Sequence, residues 1–348
     1  MDEAWPRKLL IVTSRFFPSI GGVQSMALGL ATAFHRRGRD VTVMTNERSS
    51  LPDNLPFRVV RRPTALGTWK EFSNADAIIQ FGPGVRLGWP LLLRRFPVVI
   101  SHQIWQPPIH SESPWHQRLR ARMVRRSINV SPSEAMARTL NSSGRVIGNA
   151  YDDKLFRIRP DVQRDRDLIF VGRLIPEKGA DLLIEAVGKL AARGLRPNIA
   201  IVGSGPELEK LKQLAAEIHL QDRCFFRGAL VGEALVEELN RHRILVVPSR
   251  WNEPFGIVAL EGIACGCVVC GSDGGGLPDA IGPCGFLFTP GSADSLAELL
   301  YDVLGSDSKQ AGARVYADKH LQSFTGSVVT DRYLSLLRQH FDQPRRQS

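Results

Sequence analysis

Two acidic side chains in one short stretch are the first candidates for chemistry. Glu253 and Glu261 lie eight residues apart in SRWNEPFGIVALEGIACG, residues 249–266. With Pro254 in the first turn of a helix that runs to about Ala264, these positions are separated by a rise of roughly 12 Å. Paired glycosidase carboxylates lie about 5 to 9.5 Å apart. The spacing therefore disfavours a shared acid–base role and favours contacts with two parts of one extended ligand.

The start of this predicted helix offers further ligand contacts. The amides of Phe255, Gly256 and Ile257 would lack intrahelical partners and could donate to phosphate or hydroxyl oxygens. Glu253 could accept hydrogen bonds from sugar hydroxyls, or it could be a favourable charge at a helix start. Glu261 lies among apolar residues, where an unpaired carboxylate is unfavourable and a ligand could supply the partner. The alternative for Glu261 is a solvated helix face.

Two loops that join strands to helices carry glycines and cations. Arg173 and Lys178 lie in GRLIPEKG, residues 172–179, and suit a diphosphate, since arginine offers a planar fork and lysine a compact charge. Two solvated surface cations are the alternative. Gly21 and Gly22 follow the first strand and allow backbone amides to approach a phosphate or sugar. A tight turn would use the same glycines.

The elements that must position these residues alternate along the chain. Short apolar segments alternate with helical patterns, which predicts parallel sheets covered by helices on both faces. The predicted strands are Leu9–Ser14, Asp40–Thr45, Arg58–Arg61, Ala77–Phe81, Val98–Ser101, Ile128–Ser131, Leu168–Val171, Asn198–Val202, Phe225–Gly228, Ile244–Pro248 and Val268–Gly271. A polar, aperiodic stretch between about Asn149 and Asp167 predicts a linker between two Rossmann-like domains. Ligands bind at the carboxyl ends of strands in such sheets.

Composition limits the class of protein. The chain has 348 residues, 43% of them hydrophobic, which favours two globular domains. It shows neither a secretory signal nor an apolar run of the roughly 20 residues that a spanning helix needs. We therefore expect a cytoplasmic protein that is soluble or peripheral. Four of the five cysteines fall within residues 265–284, and we expect small buried thiols in a reduced compartment rather than a metal site.

Charge is concentrated in the first part of the chain. Residues 1–150 hold 21 Lys and Arg against 9 Asp and Glu, whereas the whole chain has a net charge of +10. Residues Trp115–Arg126 contain five arginines and no acid, with Trp115, Leu119 and Met123 at four-residue spacing. This pattern is typical of a helix on an anionic membrane, or of a surface helix that buries its apolar stripe. The positive surplus favours an anionic partner, but no module for nucleic acid accompanies it.

Several motifs together resemble one known family. They are GRLIPEKG at 172–179, GSGPE at 203–207, EPFGIVALE at 253–261, GGGLPD at 274–279 and FFPSIGGV at 16–23. As an ordered set they are similar to the retaining nucleotide-sugar glycosyltransferases of family 4. This resemblance implies the α/β GT-B fold, in which two Rossmann-like, doubly wound domains face an interdomain cleft. It covers nearly the whole chain.

The resemblance also implies roles for individual residues. Glu253 would contact hydroxyls of the transferred sugar, and Glu261 the ribose. Arg173 and Lys178 would hold the diphosphate and stabilise its charge as the glycosidic bond breaks. Gly21 and Gly22 would approach the same phosphates. His102, in VVISHQIW, matches the position from which the family's histidine faces the sugar, although a lone histidine after a strand is more often structural.

The family's chemistry implies retention by front-face attack, with neither a protein nucleophile nor an obligatory metal or other cofactor. The DRD triplet at 165–167 lies in the predicted linker, and we interpret it as solvated charge. The resemblance divides the chain into an acceptor-side domain at 1–150, a nucleotide-sugar-binding domain at 165–325, and a C-terminal helix at 326–348 that packs back towards the first domain. The sequence has NAYD at 149–152 where the family commonly has NGVD, so donor preference does not transfer.

We therefore expect transfer of a hexosyl group from a UDP- or GDP-sugar to an acceptor hydroxyl. The expected acceptor is anionic, such as a polyprenyl-diphosphate-linked sugar or a growing polysaccharide in bacterial cell-surface glycan synthesis. A soluble small-molecule acceptor is the first alternative. A non-catalytic nucleotide-sugar-binding protein is the second, and an isomerase or a pyridoxal-dependent phosphorylase of the same fold is the third.

Overall fold

The computed structural model describes residues 5–19, 21–50, 52–105, 113–140 and 145–341. The chain forms two compact units. The first comprises the chain up to Ala150 together with the chain from Thr325 onwards, and the second is Tyr151–Phe324.

The first unit contains a seven-stranded sheet in which all neighbouring strands are parallel. Its strands are β1 (Lys8–Thr13), β2 (Asp40–Thr45), β3 (Arg58–Arg61), β4 (Ala77–Phe81), β5 (Val98–Ser101), β6 (Ile128–Ser131) and β7 (Arg145–Val146), in the order β3-β2-β1-β4-β5-β6-β7. The helices are α1 (Gly22–Arg36), α2 (Ala65–Asn74), α3 (Val85–Gly88), α4 (Pro90–Leu93), α5 (Pro114–Arg125) and α6 (Glu134–Thr139).

Strand β1 shows why this sheet is apolar on both faces. Leu9 and Ile11 pack into the core on one side, and Leu10 and Val12 pack into the core on the other. Successive side chains of a strand point to opposite faces, so a continuous apolar run fits a sheet covered by helices on both sides.

The second unit repeats the same topology with six parallel strands. They are β8 (Arg166–Val171), β9 (Ile199–Val202), β10 (Cys224–Gly228), β11 (His242–Val247), β12 (Val268–Ser272) and β13 (Gly285–Phe288), in the order β10-β9-β8-β11-β12-β13. The helices are α7 (Ala180–Ala192), α8 (Leu208–Glu217), α9 (Glu233–Asn240), α10 (Ile257–Ala264), α11 (Leu277–Ile281), α12 (Ala293–Leu304), α13 (Asp307–Arg314) and α14 (Ala317–Gln322). In each unit, the first strand lies between the second and the fourth, which confirms the predicted doubly wound sheets.

All eleven predicted strands are present, with ends that differ by no more than two residues from those observed. Two strands were missed. Strand β7 has only two residues, and β13 is a four-residue edge strand whose Leu287 is exposed. Strand β7 is too short to show a period of two, and in β13 (GFLF) Phe288 is the one buried residue.

Residues 151–164, where the sequence predicted a linker, belong to the second unit. Tyr151 and Phe156 are buried in its core. The Asn240 amide group accepts a hydrogen bond from the Arg159 backbone amide at 2.8 Å, and Arg164 donates to the Cys265 carbonyl at 2.6 Å. The linker prediction is therefore wrong for this segment, because its polar groups form hydrogen bonds with the rest of the second unit.

The helix α15, Gly326–Phe341, packs against α1 of the first unit. The buried Tyr333 hydroxyl lies 2.9 Å from the Ser101 hydroxyl at the end of β5. Val329, Leu334 and Leu337 of this helix join the same core as Leu9 and Ile11 of β1. The first unit is thus built from both ends of the described chain.

The five cysteines are free thiols buried in the second unit. They are Cys224, Cys265, Cys267, Cys270 and Cys284. Burial raises the pKa of each thiol, to about 12 for Cys224 and to about 11 for Cys267 and Cys284. They pack as small apolar side chains, as the sequence predicted.

Candidate functional site

Two loops of the second unit meet where its strand order reverses. One follows β8 and includes residues 172–179, and the other follows β11 and includes residues 248–256. Because β8 pairs with β11, these loops leave adjacent strands at the carboxyl edge. The backbone amides of Arg250 and Trp251 donate to the Glu177 carbonyl at 2.9 and 3.2 Å. The two loops are therefore fastened to each other.

This contact brings Lys178 and Glu253 together. The Lys178 ammonium donates to Glu253 Oε1, and the Ser249 hydroxyl donates to the same oxygen at 2.7 Å. Glu253 is only 8% exposed, so this pairing offsets the burial of its charge. A lysine ammonium carries three donors, which leaves two of those on Lys178 for another acceptor.

Two glycines allow the backbone to close around this pair. Gly179 has φ of 70°, and a β-carbon there would lie 2.0 Å from the Pro248 carbonyl oxygen. Gly275 has φ of 60°, and its β-carbon would lie 2.3 Å from the Glu253 carbonyl oxygen. Both positions therefore require glycine for conformation and for close approach.

The helix after Glu253 begins later than the sequence predicted. Helix α10 starts at Ile257, and Pro254 precedes it in irregular structure. Gly256, with φ of 106°, turns the chain into the helix, and a β-carbon there would lie 2.5 Å from a Leu277 methyl group. The prediction that Glu253 and Glu261 are separated by a helical rise of roughly 12 Å is therefore wrong, because only the second half of that stretch is helical.

The amides near the start of α10 remain available to a ligand. Within the described residues, the backbone amides of Phe255, Gly256 and Ile257 donate no hydrogen bond. The prediction placed all three at a helix N-terminus, whereas Phe255 lies in the preceding turn and Gly256 is the cap. The helix dipole still favours negative charge beside these donors.

Unlike Glu253, Glu261 has no partner for its carboxyl group among the described residues. It lies on α10 between the buried Leu260 and Gly262, and its carboxyl group makes no hydrogen bond or ion pair with the described part of the chain. Burial raises the pKa of this carboxyl to about 7, and the nearby Asp152 carboxylate adds to the effect. A half-buried carboxylate without a partner suits a ligand that brings hydroxyl donors.

The two arginines of these loops, Arg173 and Arg250, differ in their contacts. Arg173 is exposed, and its guanidinium contacts no described acidic group. Arg250, which the sequence analysis did not single out, pairs with Asp181 at 2.6 Å and donates to the Pro176 carbonyl at 3.2 Å. Arg250 therefore stiffens the loop, whereas Arg173 is free to bind an anion.

His102 lies in the first unit, directly after β5. It is 1% exposed, and its Nε2 lies 2.9 Å from Asn129 Oδ1. The Asn129 amide nitrogen donates to the carbonyls of Val124 and Ser127 at 2.9 and 3.1 Å, which assigns Oδ1 as the acceptor. Nε2 of His102 therefore carries the proton. Burial lowers the pKa of His102 below its usual value, so the ring is neutral near pH 7.

A buried polar chain beside His102 was missed by sequence reasoning. The amides of Gln103 and Asn149 exchange two hydrogen bonds, at 2.9 and 2.7 Å. Gln103 also donates to the Ser101 hydroxyl at 2.9 Å, which in turn meets Tyr333. Such a satisfied network holds the backbone around His102 in one arrangement. Its members are 46 and 232 residues apart, so only the fold connects them.

Gly21 and Gly22 begin α1, as predicted. Gly21 is the cap and offers no side chain to the helix, and Gly22 is its first residue. A β-carbon on Gly22 would meet nothing within 4 Å, and one on Gly21 would meet only the end of the flexible Gln24 side chain. The first unit itself thus does not require either glycine for packing, which leaves room for a close ligand.

Among the predicted site residues, the structure brings Lys178 and Glu253 into direct contact within the second unit. Residues 152–320 match the model of the family described as glycosyl transferases group 1. The second unit belongs to this family. Its matched range contains Arg173, Lys178, Glu253 and Glu261 of the candidate site.

Curated relatives of this group 1 unit align with part of the chain. A GDP-mannose-dependent alpha-(1-6)-phosphatidylinositol monomannoside mannosyltransferase of Mycolicibacterium smegmatis is 30% identical over 44% of this chain and 42% of its own length. A D-inositol 3-phosphate glycosyltransferase of Mycobacteroides abscessus is 36% identical over 52% and 40%, respectively. The alignments thus span less than half the length of these relatives.

Solved glycosyltransferase structures match nearly the whole chain in fold. A sucrose-phosphate synthase from Thermosynechococcus elongatus has a TM-score of 0.79 at 20% identity and covers 97% of this chain and 99% of its own. Anabaena HepE in complex with UDP-glucose has a TM-score of 0.78 at 21% identity and covers 95% and 99%. The predicted GT-B fold, with two Rossmann-like α/β domains, is confirmed.

Proposed function

We propose that this protein is a retaining glycosyltransferase that moves a hexosyl group from a UDP- or GDP-sugar to an acceptor hydroxyl. The observation that carries the proposal is the contact between Lys178 and Glu253 at the carboxyl edge of a group 1 unit. A buried carboxylate and a cation with spare donors lie where open α/β sheets bind ligands. They suit the two adjacent parts of a nucleotide sugar, its hydroxyl-rich ring and its diphosphate.

Lys178 and Arg173 bind the diphosphate in this proposal. Lys178 keeps two donors after its contact with Glu253, and Arg173 is exposed with a free guanidinium fork. As the glycosidic bond breaks, negative charge grows on the departing phosphate, and these two cations stabilise it. The amides at the start of α10 and those of Gly21 and Gly22 add neutral donors for phosphate oxygens.

Glu253 accepts hydrogen bonds from hydroxyls of the transferred sugar through the oxygen that Lys178 and Ser249 leave free. Glu261 accepts hydrogen bonds from the ribose hydroxyls, which provide donors that the described part of the chain does not. His102, neutral and held by Asn129, presents Nδ1 as an acceptor to the sugar. These three residues bind and orient the donor, and none of them is a nucleophile.

Retention of configuration follows from attack on the face that the leaving group departs from. The departing phosphate oxygen takes the proton of the acceptor hydroxyl, the glycosidic bond to the diphosphate breaks, and the new glycosidic bond forms on the same side. Neither a covalent enzyme intermediate nor a metal ion is needed in this proposal, because Arg173 and Lys178 supply the positive charge.

For the acceptor, we propose an anionic, lipid-linked sugar or growing polysaccharide at the cytoplasmic membrane face. None of the described helices is long and apolar enough to cross a bilayer. The three apolar residues at four-residue spacing in α5 differ in burial. Met123 is buried, Leu119 is half-buried and Trp115 is 57% exposed. Trp115 and the exposed arginines of this helix suit contact with an anionic surface.

A panel of nucleotide sugars tests the proposal. The protein is incubated with UDP-, GDP- and ADP-sugars, with and without lipid-linked and soluble acceptors, and nucleotide release is measured. We expect release from a UDP- or GDP-sugar that acceptor accelerates. Binding of donors without release from any of them would favour a non-catalytic nucleotide-sugar-binding protein. A lysine-bound yellow cofactor in the pure protein would favour a phosphorylase.

Sedimentation with liposomes tests the membrane part. We expect the protein to sediment at low salt with vesicles that contain anionic lipid, and W115A and R118Q/R122Q to reduce the bound fraction. A matched control is R36Q/R138Q, which removes two other exposed arginines of the first unit. No sedimentation of the parent protein would exclude this attachment and leave glycosyl transfer untouched.

A further inference from the structure

A pocket in the first unit contains cations that the proposed function does not use. Its volume is about 480 Å³, and its lining residues are Ser14, Arg15, Asn46, Glu47, Arg48, Arg62 and Arg86. They follow β1, β2 and β3 directly, or lie on α3 after β4. Since β1 lies between β2 and β4, the pocket occupies the carboxyl edge where the strand order of this sheet reverses.

The four arginines of this arginine pocket are not paired with an acidic side chain in the described part of the chain. Arg15, Arg48, Arg62 and Arg86 are exposed, and none of them forms a hydrogen bond or ion pair with another described residue through its side chain. Glu47 is the one acid among the lining residues. The pocket thus has an excess of three positive charges, which repel one another until an anion binds.

The neighbouring Arg61 differs from the pocket arginines because its side chain is fully paired within the unit. Its guanidinium makes a two-pronged ion pair with Asp53, at 3.0 and 2.6 Å, and donates to the Phe17 carbonyl at 2.7 Å. Arg61 is the last residue of β3, so its side chain joins this strand to the loops after β1 and β2. The guanidinium of Arg62, the next residue, pairs with no other residue that the structure describes.

The backbone that carries these arginines is held firmly. Arg62 has φ of 48°, a left-handed conformation that is unfavourable for most residues other than glycine, and its amide donates to the Thr45 carbonyl at 2.7 Å. The Thr13 hydroxyl donates to the Arg15 carbonyl at 2.8 Å. The buried Gln80 amide donates to the Gly84 carbonyl at 3.1 Å, just before α3. Fixed backbones with free side chains suit the binding of a ligand.

We propose that the arginine pocket binds a phosphate or diphosphate group of the acceptor. This inference rests on the proposed function. Guanidinium groups bind phosphate oxygens through paired hydrogen bonds, and several of them suit a dianion. The lining contains no aromatic side chain on which a nucleic-acid base could stack. The donor diphosphate has its own cations in the second unit, so the first unit's cations serve the other substrate.

Calorimetric titration of the full chain with inorganic pyrophosphate tests the pocket. We expect binding that persists when saturating UDP and GDP are present, and that persists in R173Q/K178Q. R48Q/R62Q should weaken it about tenfold or more, since two charge-assisted contacts are lost. R36Q/R138Q removes the same charge from exposed positions outside the pocket, and we expect a change below about twofold.

Three further probes identify the source of the phosphate. Geranyl diphosphate represents a lipid-linked acceptor, glucose 6-phosphate a soluble one, and geraniol the same lipid without charge. Tighter binding of either phosphate, lost in R48Q/R62Q, supports the pocket and names the class of acceptor. Unchanged phosphate binding in R48Q/R62Q, or geraniol binding as tight as geranyl diphosphate, would overturn it. If the parent protein neither bound nor turned over any nucleotide sugar, that result would instead count against the proposed function alone.

Discussion

The reversal points of the two sheets differ in how their charges are matched. In the second unit, Lys178 pairs with Glu253 and Arg250 pairs with Asp181, so the loops are balanced before any ligand arrives. In the first unit, the arginine pocket has an excess of positive charge over its one acid. The charge pairs of the second unit are preorganised, whereas the arginine pocket of the first unit needs an anion to balance its charge.

This difference predicts different responses to substitution. Removing one partner of a buried pair disturbs both the ligand and the remaining partner. Removing an exposed arginine disturbs only the ligand, since nothing in the described chain depends on its side chain.

The largest effect is expected from Glu253. E253A should lower kcat/KM by about a thousandfold, because it removes the sugar contact and leaves Lys178 without its partner. E253Q keeps the shape and should retain more donor affinity than E253A. Steady-state kinetics measure both, with circular dichroism to show that the fold is intact. Activity of E253A equal to that of the parent would disprove the site assignment.

Lys178 should have the next largest effect. K178A should lower kcat by about a hundredfold, because one cation that stabilises the departing phosphate is lost while Arg173 remains. K154A changes an exposed lysine of the same unit and serves as the control. If kcat fell equally in both variants, loss of overall charge rather than a specific contact would explain the result.

Glu261 should affect donor binding and the pH dependence of stability. E261A should raise the donor KM about tenfold or more, with little change in kcat, because ribose hydroxyls lose their acceptor. The raised pKa means that the folded chain holds a proton that the unfolded chain has released between about pH 4.5 and 7. Glu261 thus contributes stability below pH 4.5 that is lost as pH rises through 7.

At pH 8, the free energy of unfolding of E261Q should therefore exceed that of the parent by about 1 to 3 kcal/mol. At pH 4.5 the two proteins should be nearly equal. Denaturant unfolding at both pH values measures this difference, with E185Q, an exposed position on α7, as the control. A difference that does not change with pH would show that the Glu261 carboxyl has an ordinary pKa.

His102 should give the smallest effect, with the opposite sign. Its lowered pKa means that, below about pH 6.5, the unfolded chain binds a proton that the folded chain does not. The stability that neutral His102 contributes is lost as pH falls, so H102Q should reduce the drop in melting temperature between pH 7.5 and 5.5. H219Q changes an exposed histidine and should leave the drop unchanged. Equal behaviour of the two variants would contradict the buried, neutral state.

The sequence predicted the strands and the loops that carry the site, because period and turn composition are local properties. It could not predict that Lys178 contacts Glu253 across 75 residues, or that Asn129 sets the tautomer of His102. It also began α10 too early, since Pro254 is a good first-turn residue and the left-handed Gly256 becomes visible only in the structure. Contacts between distant segments decide these features.

The arginine pocket illustrates the same limit in a stronger form. Its arginines come from four separate segments, and Arg61 and Arg62 are adjacent and identical in type. Arg61 pairs with Asp53, whereas Arg62, where the backbone enters the left-handed region, pairs with no described residue. The sequence predicted the surplus of positive charge in this unit, but it could not predict where in the fold the unpaired arginines gather.

The position of α15 in the first unit also sets an order of events during synthesis. The core beside β1 includes Tyr333 and Leu337, so it is incomplete when residues 1–150 have been made. The whole second unit, Tyr151–Phe324, is translated before α15. At about 5 to 20 residues per second, this interval lasts roughly 10 to 35 s. The second unit can therefore fold first, while the ribosome still holds the helix that the first unit needs.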